Sequence, residues 1–276
     1  MFYPKHLQSV YGNFIFALLI AGMVILFTSV GETVKAEQVL WYAFEGSGDI
    51  VKDVSGNGND GTITGAKRVP GKFGKGISIG KKDEYVEIPD VLQQKANPAG
   101  TILFWFKPNW NGGDGQSYRL FDANTGAIYW LIGQGKEGGT QVGNFGFWFE
   151  DAADADFQNW QTPAKDLISA GKWHHVAATW DFDKSEAKFY VNGKEISNVG
   201  GMGTFPPLNP KPKIGFNVGT GYMAATNGAD SVIDEFAIYN EALDEKAVKT
   251  EMETLALTVE PSGKLPLTWA KIKSAR

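Results

Sequence analysis

Short segments in which apolar and polar residues alternate recur along the chain from Val39 onward, separated by clusters of Gly, Asn, Asp and Pro. Side chains of a β-strand point to opposite faces in turn, so alternation of this kind predicts half-buried strands. Two segments, TILFWFKP and NFGFWFE, each have one wholly apolar face, formed by Ile102, Phe104 and Phe106 in the first and by Phe145, Phe147 and Phe149 in the second. Such faces need a second sheet to cover them, which predicts an all-β, two-sheet sandwich.

Two local signals refine this picture. In KFYVNGKEI, Asn192 and Gly193 lie between alternating flanks, and Asn-Gly favours the type I′ turn of a two-residue hairpin. Near the end of the pattern, Asp244 can cap the segment DEKAVKTEM, in which Val248 and Met252 lie one turn apart on the side to be buried. We therefore expect one hairpin at this turn and one short C-terminal helix on the surface of the sandwich.

The N-terminal residues have the features of an export signal. An uncharged apolar run extends from Phe14 to Phe27, which is short for a bilayer span, and the sequence TVKA offers a cleavage site after Ala36. We predict that residues 1–36 are a secretory signal peptide. The alternative is an uncleaved membrane anchor, since Thr28 to Val30 can lengthen the apolar run. Both interpretations place the rest of the chain outside the cytoplasm, secreted or at the cell surface.

Composition excludes several classes of function. The net charge is −5 and the basic residues form no block or stripe, so nucleic acid is not an expected partner. The chain has no cysteine, which excludes disulfides, cysteine nucleophiles and thiolate metal sites. The alternating pattern ends near Leu257, so we predict one domain over residues 37–257 and an extension over residues 258–276.

The only histidines beyond residue 6 are His174 and His175. In a strand these neighbours point to opposite faces, so they cannot act together on one atom. We therefore interpret both as structural residues of a strand.

The segment around these histidines, WHHVAATWDFDKSEAKFYVNGK, resembles a sequence block of the laminin-G-like, concanavalin A-like jelly-roll family. Three further blocks resemble this family in the same order: LWYAFEGSGDIVKDVSGNGNDGTI, YVEIPD with TILFWFKP, and GADSVIDEFAIYNEALDEKAV. The resemblance spans roughly Val39 to Leu255. It implies a two-sheet antiparallel jelly-roll fold, which hosts lectins, adhesion domains and some glycosidases and so does not define one function.

The resemblance also implies a structural calcium ion that joins the first segment to the last strand. Segment FEGSGDIVKDVSGNGNDG is rich in the oxygen ligands that Ca²⁺ accepts, although it lacks the spacing of an EF-hand. Carried over to this sequence, the expected ligands are Asp53, Asn57 and Asp234, with Glu45 as a fourth candidate. The alternative is that SGNGNDG is only a turn and that Asp234 accepts a backbone hydrogen bond.

Several aromatic residues lie outside the regular apolar faces and are candidates for a ligand surface: Trp110, Tyr118, Trp148, Trp160 and Tyr222. Trp or Tyr offers a flat apolar surface with a polar tip, which suits the C–H faces and hydroxyls of a sugar ring. Trp148 alternates with Phe147 and Phe149 and is expected on the opposite face. Packing within the sandwich is the alternative for each of them.

A glycosidase needs two carboxylates placed across one glycosidic bond. The related glucanases carry these on one strand as E-x-D-x-x-E or E-x-D-x-E, and the chain has no such string. The nearest acidic cluster, Glu150, Asp151, Asp154 and Asp156, is interpreted as a solvated loop. We therefore predict an exported, non-catalytic recognition module that binds a glycan. A module that binds a surface protein is the alternative, and a glycoside hydrolase or lyase is less favoured.

Overall fold

The computed structural model describes residues 36–80, 83–125, 127–135, 143–158, 163–215 and 228–254. All of them belong to a compact unit that begins at Ala36. The predicted signal peptide or anchor, apart from Ala36, and the predicted extension 258–276 lie outside the described residues. The described residues contain no helix that is long and apolar enough to cross a membrane.

Sixteen strands make up a little under half of the described residues. In chain order they are β1 Gln38–Tyr42, β2 Ile50–Val51, β3 Gly61–Thr64, β4 Lys67–Pro70, β5 Lys75–Ile79, β6 Tyr85–Glu87, β7 Ala99–Pro108, β8 Tyr118–Asp122, β9 Trp130–Gln134, β10 Phe145–Glu150, β11 Asp156–Gln158, β12 His174–Asp181, β13 Glu186–Val191, β14 Lys194–Gly200, β15 Lys213–Gly215 and β16 Ser231–Tyr239. Two short α-helices accompany them, α1 Val91–Lys95 and α2 Glu245–Thr254, with a single 3₁₀ turn over Ala164–Asp166.

The strands form two antiparallel sheets. The first sheet has the order β14-β13-β12-β7-β16-β5-β4, with β1 also paired to β16, and the second has the order β11-β10-β9-β8-β15-β6-β3-β2. Strands distant in the chain are neighbours in both sheets, for example β7 beside β16 and β8 beside β15. The predicted two-sheet antiparallel sandwich is confirmed.

The main core lies between the two sheets. Phe106 of the first sheet stacks on Phe145 of the second with ring centroids 5.6 Å apart, and Phe121 of the second stacks on Phe236 of the first at 5.8 Å. The faces predicted to be apolar, Ile102, Phe104 and Phe106 in β7 and Phe145, Phe147 and Phe149 in β10, all belong to this core. Each of the six side chains is fully buried, which confirms the period-two interpretation.

A bulge divides β16 into two pairing segments. Ser231, Val232 and Ile233 pair with β5, whereas Phe236 to Tyr239 pair with β1. Between them, the pairing with β7 shifts after Asp234, and Glu235 takes a positive φ of 52°. An extra residue at such a point changes the direction of the strand, so that β16 pairs with both β5 and β1 along the same edge.

The hairpin and the C-terminal helix form as predicted. Asn192 and Gly193 have φ values of 51° and 73°, as the type I′ turn requires. Asp244 Oδ1 accepts a hydrogen bond of 2.7 Å from the backbone N–H of Ala247, which caps α2. Val248 of this helix is fully buried in a second apolar cluster on the outer face of the first sheet. Helix α1 and the 3₁₀ turn, each shorter than two turns, have no periodicity by which sequence reasoning could find them.

Candidate functional site

An aromatic pair, Tyr129 and Trp148, lies on the face of the second sheet that points away from the core. Trp148 of β10 forms a separate apolar cluster with Leu131 of β9 and Tyr129, whereas Phe147 and Phe149 belong to the main core. This confirms the expectation that Trp148 is on the opposite face. The two rings stack with centroids 5.3 Å apart and an interplanar angle of 26°. Trp148 is only 2% exposed and Tyr129 is partly exposed, so Trp148 supports the ring that Tyr129 presents.

Two carboxylates hold the aromatic pair in place. Trp148 Nε1 donates a hydrogen bond of 2.9 Å to Asp156 Oδ1, and the backbone N–H of Tyr129 donates one of 2.7 Å to Glu150 Oε2. Asp156 of β11 lies directly opposite Glu150 of β10 in the ladder. Sequence reasoning missed Tyr129. Its neighbours Trp130 and Ile132 face the core, so the alternation along this segment could have placed Tyr129 on the outer face.

The acidic segment after β10 differs from its prediction as a solvated loop. Glu150 and Asp151 are each only 4% exposed, whereas Asp154 and Asp156 are exposed. Asp151 holds the turn, because its carboxylate accepts hydrogen bonds from the backbone N–H groups of Ala153, Ala155 and Gly203. The prediction was wrong for these two residues because a carboxylate that accepts several backbone donors can be buried beside an apolar strand.

The environment of Glu150 favours its neutral form. Burial raises its pKa to about 8, and hydrogen bonding with Asp156 and the negative charges of Asp156 and Asp154 act in the same direction. The hydrogen bond from the backbone N–H of Tyr129 opposes this shift. Glu150 and Asp156 face each other across the β10–β11 ladder. A glycosidase pair receives the glycosidic bond between two accessible carboxylates, whereas Glu150 is buried and its Oε2 accepts the backbone N–H of Tyr129.

Trp110 and Tyr118, two of the five predicted ligand aromatics, lie in the main core. Their rings stack on each other with centroids 4.3 Å apart, and their exposed fractions are 4% and 6%. Trp110 Nε1 donates to the carbonyl oxygen of Ala229, and the Tyr118 hydroxyl donates to Asp114 Oδ2. The prediction that both rings lie outside the apolar faces was therefore wrong. Their burial depends on contacts between segments that are distant in the chain. Two further predicted aromatics, Trp160 and Tyr222, lie outside the described residues.

The two histidines occupy opposite faces of β12, as expected. His174 packs near Phe106 of the core and its Nε2 accepts a hydrogen bond of 3.1 Å from the backbone N–H of Ser169. His175 lies on the outer face of the first sheet, edge-on to Trp105 with centroids 5.3 Å apart. Burial lowers the pKa of His175 to about 3, and neither of its ring nitrogens has a hydrogen-bond partner. It is a neutral packing residue in the folded protein.

Two of the predicted calcium ligands, Asp53 and Asn57, serve the first loop. Asp53 Oδ1 accepts hydrogen bonds from the backbone N–H groups of Trp41 and Ser55, and its Oδ2 accepts one from that of Asn59. The Asn57 side-chain amide donates to the carbonyl oxygen of Gln38. Asp53 therefore acts as an acceptor that closes the turn, which matches the alternative interpretation of SGNGNDG.

The other two predicted ligands lie elsewhere and bind a different loop. Asp234 Oδ2 accepts hydrogen bonds from the backbone N–H groups of Lys72 and Phe73, and Glu45 Oε1 accepts one from that of Lys75. Burial raises the pKa of Asp234 to about 7, and the charge of Glu45 adds to this shift. Among the described residues, no group of three or more acidic, histidine or cysteine side chains is arranged to hold a metal ion. The four residues therefore do not fit a single calcium ion, because backbone donors already engage Asp53 and Asp234 in separate places.

Two cationic side chains bind the carbonyl oxygens of the loop between β1 and β2. Arg68 donates to the carbonyl oxygens of Phe44 at 2.8 Å and Ile50 at 2.7 Å, and also to that of Gly48. Lys75 Nζ donates to the carbonyl oxygen of Gly46 at 2.7 Å. Alternate carbonyl groups of this loop thus point at positive charge supplied by β4 and β5, which ties the loop to the first sheet.

Comparison with known protein families identifies the family of the chain. The family model for a laminin-G-type domain, described as the concanavalin A-like lectin/glucanases superfamily, matches residues 80–249, more than half of the chain. The chain belongs to this superfamily. The expected resemblance is therefore confirmed. No curated protein matches this concanavalin A-like domain in sequence.

Solved structures with the same fold include domains of enzymes and toxins. Domain 4 of AbnA, an extracellular arabinanase from Geobacillus stearothermophilus solved with arabinotriose, has a TM-score of 0.58 and 22% identity, over 78% of this chain and 98% of that one. A binding domain of botulinum neurotoxin DC in complex with rat synaptotagmin II has a TM-score of 0.62 and 17% identity, over 80% of this chain and 52% of that one. A botulinum neurotoxin type C structure concerned with two ganglioside molecules has a TM-score of 0.63 and 17% identity, over 79% and 51%. The chain spans about half of these toxin chains, and at these identities the likeness shows the fold alone.

Proposed function

We propose that this concanavalin A-like domain is an exported, non-catalytic module that binds a saccharide at the aromatic pair of the second sheet. The observation that carries the proposal is the stacking of the partly exposed Tyr129 on Trp148, outside the main core. A stacked aromatic ring offers a flat apolar surface to the C–H face of a sugar. The arabinanase domain with this fold, which was solved with arabinotriose, supports a saccharide as the class of ligand.

The carboxylates beside the pair supply the polar half of such a site. Asp156 is exposed and lies at the edge of the Trp148 ring, where its free lone pairs can accept hydrogen bonds from sugar hydroxyls. Glu150 is buried and accepts a hydrogen bond from the backbone N–H of Tyr129. Small-molecule sites are mostly apolar surfaces with a few precisely placed polar groups. An aromatic ring with a carboxylate at its edge has this arrangement.

The hydrogen bonds of Glu150 and Asp151 support binding without catalysis. Glu150 is buried and accepts a backbone hydrogen bond, while the carboxylate of Asp151 accepts three. Neither arrangement leaves two carboxylates on opposite sides of a bound glycosidic bond. We therefore propose recognition and not hydrolysis or elimination as the activity of this site.

The test is a binding screen with matched variants. Residues 37–276 are applied to a panel of neutral oligosaccharides built from arabinose, glucose, galactose, xylose and mannose, which includes arabinotriose. We expect retention of at least one member and a loss of about tenfold or more in affinity for Tyr129→Ala, in line with the worth of one stacked ring. Tyr85→Ala is the control, because Tyr85 is a partly exposed tyrosine of the same sheet that lies under Lys213 Nζ, on a distant strand.

Two results would overturn the proposal. One is that the protein retains no saccharide of the panel, and the other is that Tyr129→Ala binds as well as the wild type. In either case a protein partner becomes the better candidate, since a toxin binding domain with this fold was solved with synaptotagmin II. Product release from any panel member would contradict the absence of catalysis, and Glu150→Gln would show whether this carboxylate is responsible.

A further inference from the structure

We propose that the saccharide site discriminates by charge and takes neutral sugars in preference to anionic ones. The inference rests on the proposed function and adds the class of ligand to it. It comes from two exposed carboxylates next to the aromatic pair, Asp154 and Asp156, which we name the carboxylate rim. The buried Glu150 favours its neutral form and is not counted as a charge of the rim.

The rim is fixed to the aromatic pair by the contacts that position the rings. Asp156 accepts the indole N–H of Trp148, and Glu150 accepts the backbone N–H of Tyr129. A ligand that stacks on Tyr129 therefore has a carboxylate within one side chain's length at the edge of the ring. Because this contact is a direct hydrogen bond, Asp156 cannot move away from the ligand without releasing the indole N–H of Trp148.

The other member of the rim, Asp154, is held by the turn between β10 and β11. Asp154 takes a positive φ of 62° in this turn, its side chain is exposed, and its backbone N–H donates to the carbonyl oxygen of Asp151. The Asp151 carboxylate in turn accepts N–H groups from both sides of the turn and from Gly203. Asp154 lies two residues before Asp156 in this turn, which places its charge at the same end of the site.

No cation neutralises the rim within the described part of the chain. The salt bridges found there pair other residues, and none includes Glu150, Asp154 or Asp156. The basic residues on the same face of this sheet lie on other strands. Arg119 of β8 donates to the carbonyl oxygen of Gly135, at the end of β9 opposite to Tyr129, and Lys213 lies on β15, three strands from β10.

The chemical consequence is a site that accepts hydrogen bonds and repels negative charge. Sugar hydroxyls can donate to the carboxylates of the rim, and these hydrogen bonds to an ionised acceptor are strong. A carboxylate on the ligand would instead face like charges a few ångströms away in a partly desolvated place, where repulsion of unit charges is substantial. We expect a neutral oligosaccharide to bind at least about fivefold more tightly than its anionic counterpart.

The experiment compares matched ligands that differ only in charge. Each oligosaccharide of the panel that carries primary alcohols is paired with the derivative in which those alcohols are oxidised to carboxylates, and affinities are measured by calorimetry at low salt. The neutral member is expected to bind about fivefold or more tightly, and the ratio is expected to shrink in 0.5 M NaCl, at about a 4 Å screening length. Asp154→Asn and Asp156→Asn should each reduce the ratio. Asparagine tolerates the positive φ of position 154, and at 156 it can still accept the indole N–H.

A remote charge provides the control. Asp49→Asn removes one negative charge from an exposed position between β1 and β2 and should leave the ratio unchanged. Equal binding of neutral and oxidised members, or a ratio that Asp154→Asn and Asp156→Asn do not alter, would overturn the inference while the saccharide site stands. Failure of the whole panel to bind, neutral members included, would overturn the proposed function and the inference together.

Discussion

Tyr129 and Trp148 stack on each other, with centroids 5.3 Å apart, on a face of the sandwich that is not part of the main core. They belong to the neighbouring segments that lead into β9 and form β10. Each is fixed by a hydrogen bond to a carboxylate, Glu150 or Asp156. The pair is therefore a preformed surface, and an aromatic residue that is already immobilised loses little conformational freedom when a ligand binds.

The buried member of the pair should matter for stability. Trp148→Ala removes a ring that is 2% exposed and leaves a cavity beside Leu131, so we expect a loss of about 3 kcal/mol in the free energy of unfolding. Trp148→Phe keeps most of the contact and loses the hydrogen bond to Asp156, with an expected loss of about 1 kcal/mol. Urea unfolding measures both. A Trp148→Ala protein as stable as the wild type would show that the ring is not packed as described.

His175 should make the fold sensitive to acid. Its pKa in the folded protein is about 3 because of burial, whereas in the unfolded chain it is near 6.5. The unfolded state therefore binds a proton that the folded state does not, so stability is lost as the pH falls from about 6.5 towards 3, by about 1.4 kcal/mol per pH unit. His175→Phe keeps a ring against Trp105 and cannot be protonated.

Urea unfolding of both proteins at pH 7.5, 6.5, 5.5 and 4.5 isolates this contribution, because every other titrating group is common to the two. The difference between them should change in favour of His175→Phe as the pH is lowered below 6.5. A difference that is constant over this range would mean that His175 gains a proton as easily in the folded protein as in the unfolded one.

The loop between β1 and β2 should depend on Arg68. This guanidinium donates to the carbonyl oxygens of Phe44, Gly48 and Ile50. We expect Arg68→Ala to lower the free energy of unfolding by about 2 kcal/mol, a value reduced for partial exposure to solvent. Lys67→Ala, at the exposed neighbouring position, should change it by less than about 0.5 kcal/mol. Similar effects of the two substitutions in thermal melts would contradict the assigned role of Arg68.

Asp53 should stabilise the first loop without calcium. Asp53→Ala removes the acceptor of three backbone N–H groups, so a loss of about 2 kcal/mol or more is expected. The loss should be the same in calcium and in chelator. Asp49→Ala, a few residues away and exposed, is the matched control with little expected effect. A loss that appears only in calcium would instead assign Asp53 to a metal site.

Much of the fold could be predicted from local patterns. The buried faces of β7 and β10, the Asn192-Gly193 turn and the Asp244 cap of α2 all follow from the spacing of residues a few positions apart. These features depend on backbone periodicity and on the preferences of single residues, which any sequence displays directly. The same patterns could not show how far a strand pairs or where it bulges, as β16 does at Glu235.

The candidate site was predictable only in part. Alternation placed Trp148 outside the core, but it could not show that Trp110 and Tyr118 stack on each other inside the core. Nor could it show that Glu150 is buried or that Asp53 and Asp234 serve different loops. Each of these outcomes depends on which distant segment lies alongside, for example Asp234 beside Lys72, 162 positions away in the chain.

The sequence by itself determined the superfamily, the two-sheet architecture and the core-facing residues of β7 and β10, because periodic burial is imposed by the geometry of a strand. Only the tertiary structure decided which of the other polar and aromatic residues are buried. Burial and hydrogen-bond satisfaction of a polar or aromatic side chain depend on neighbours from other strands. For that reason the aromatic pair and its carboxylate rim became visible when β9, β10 and β11 were aligned in one sheet.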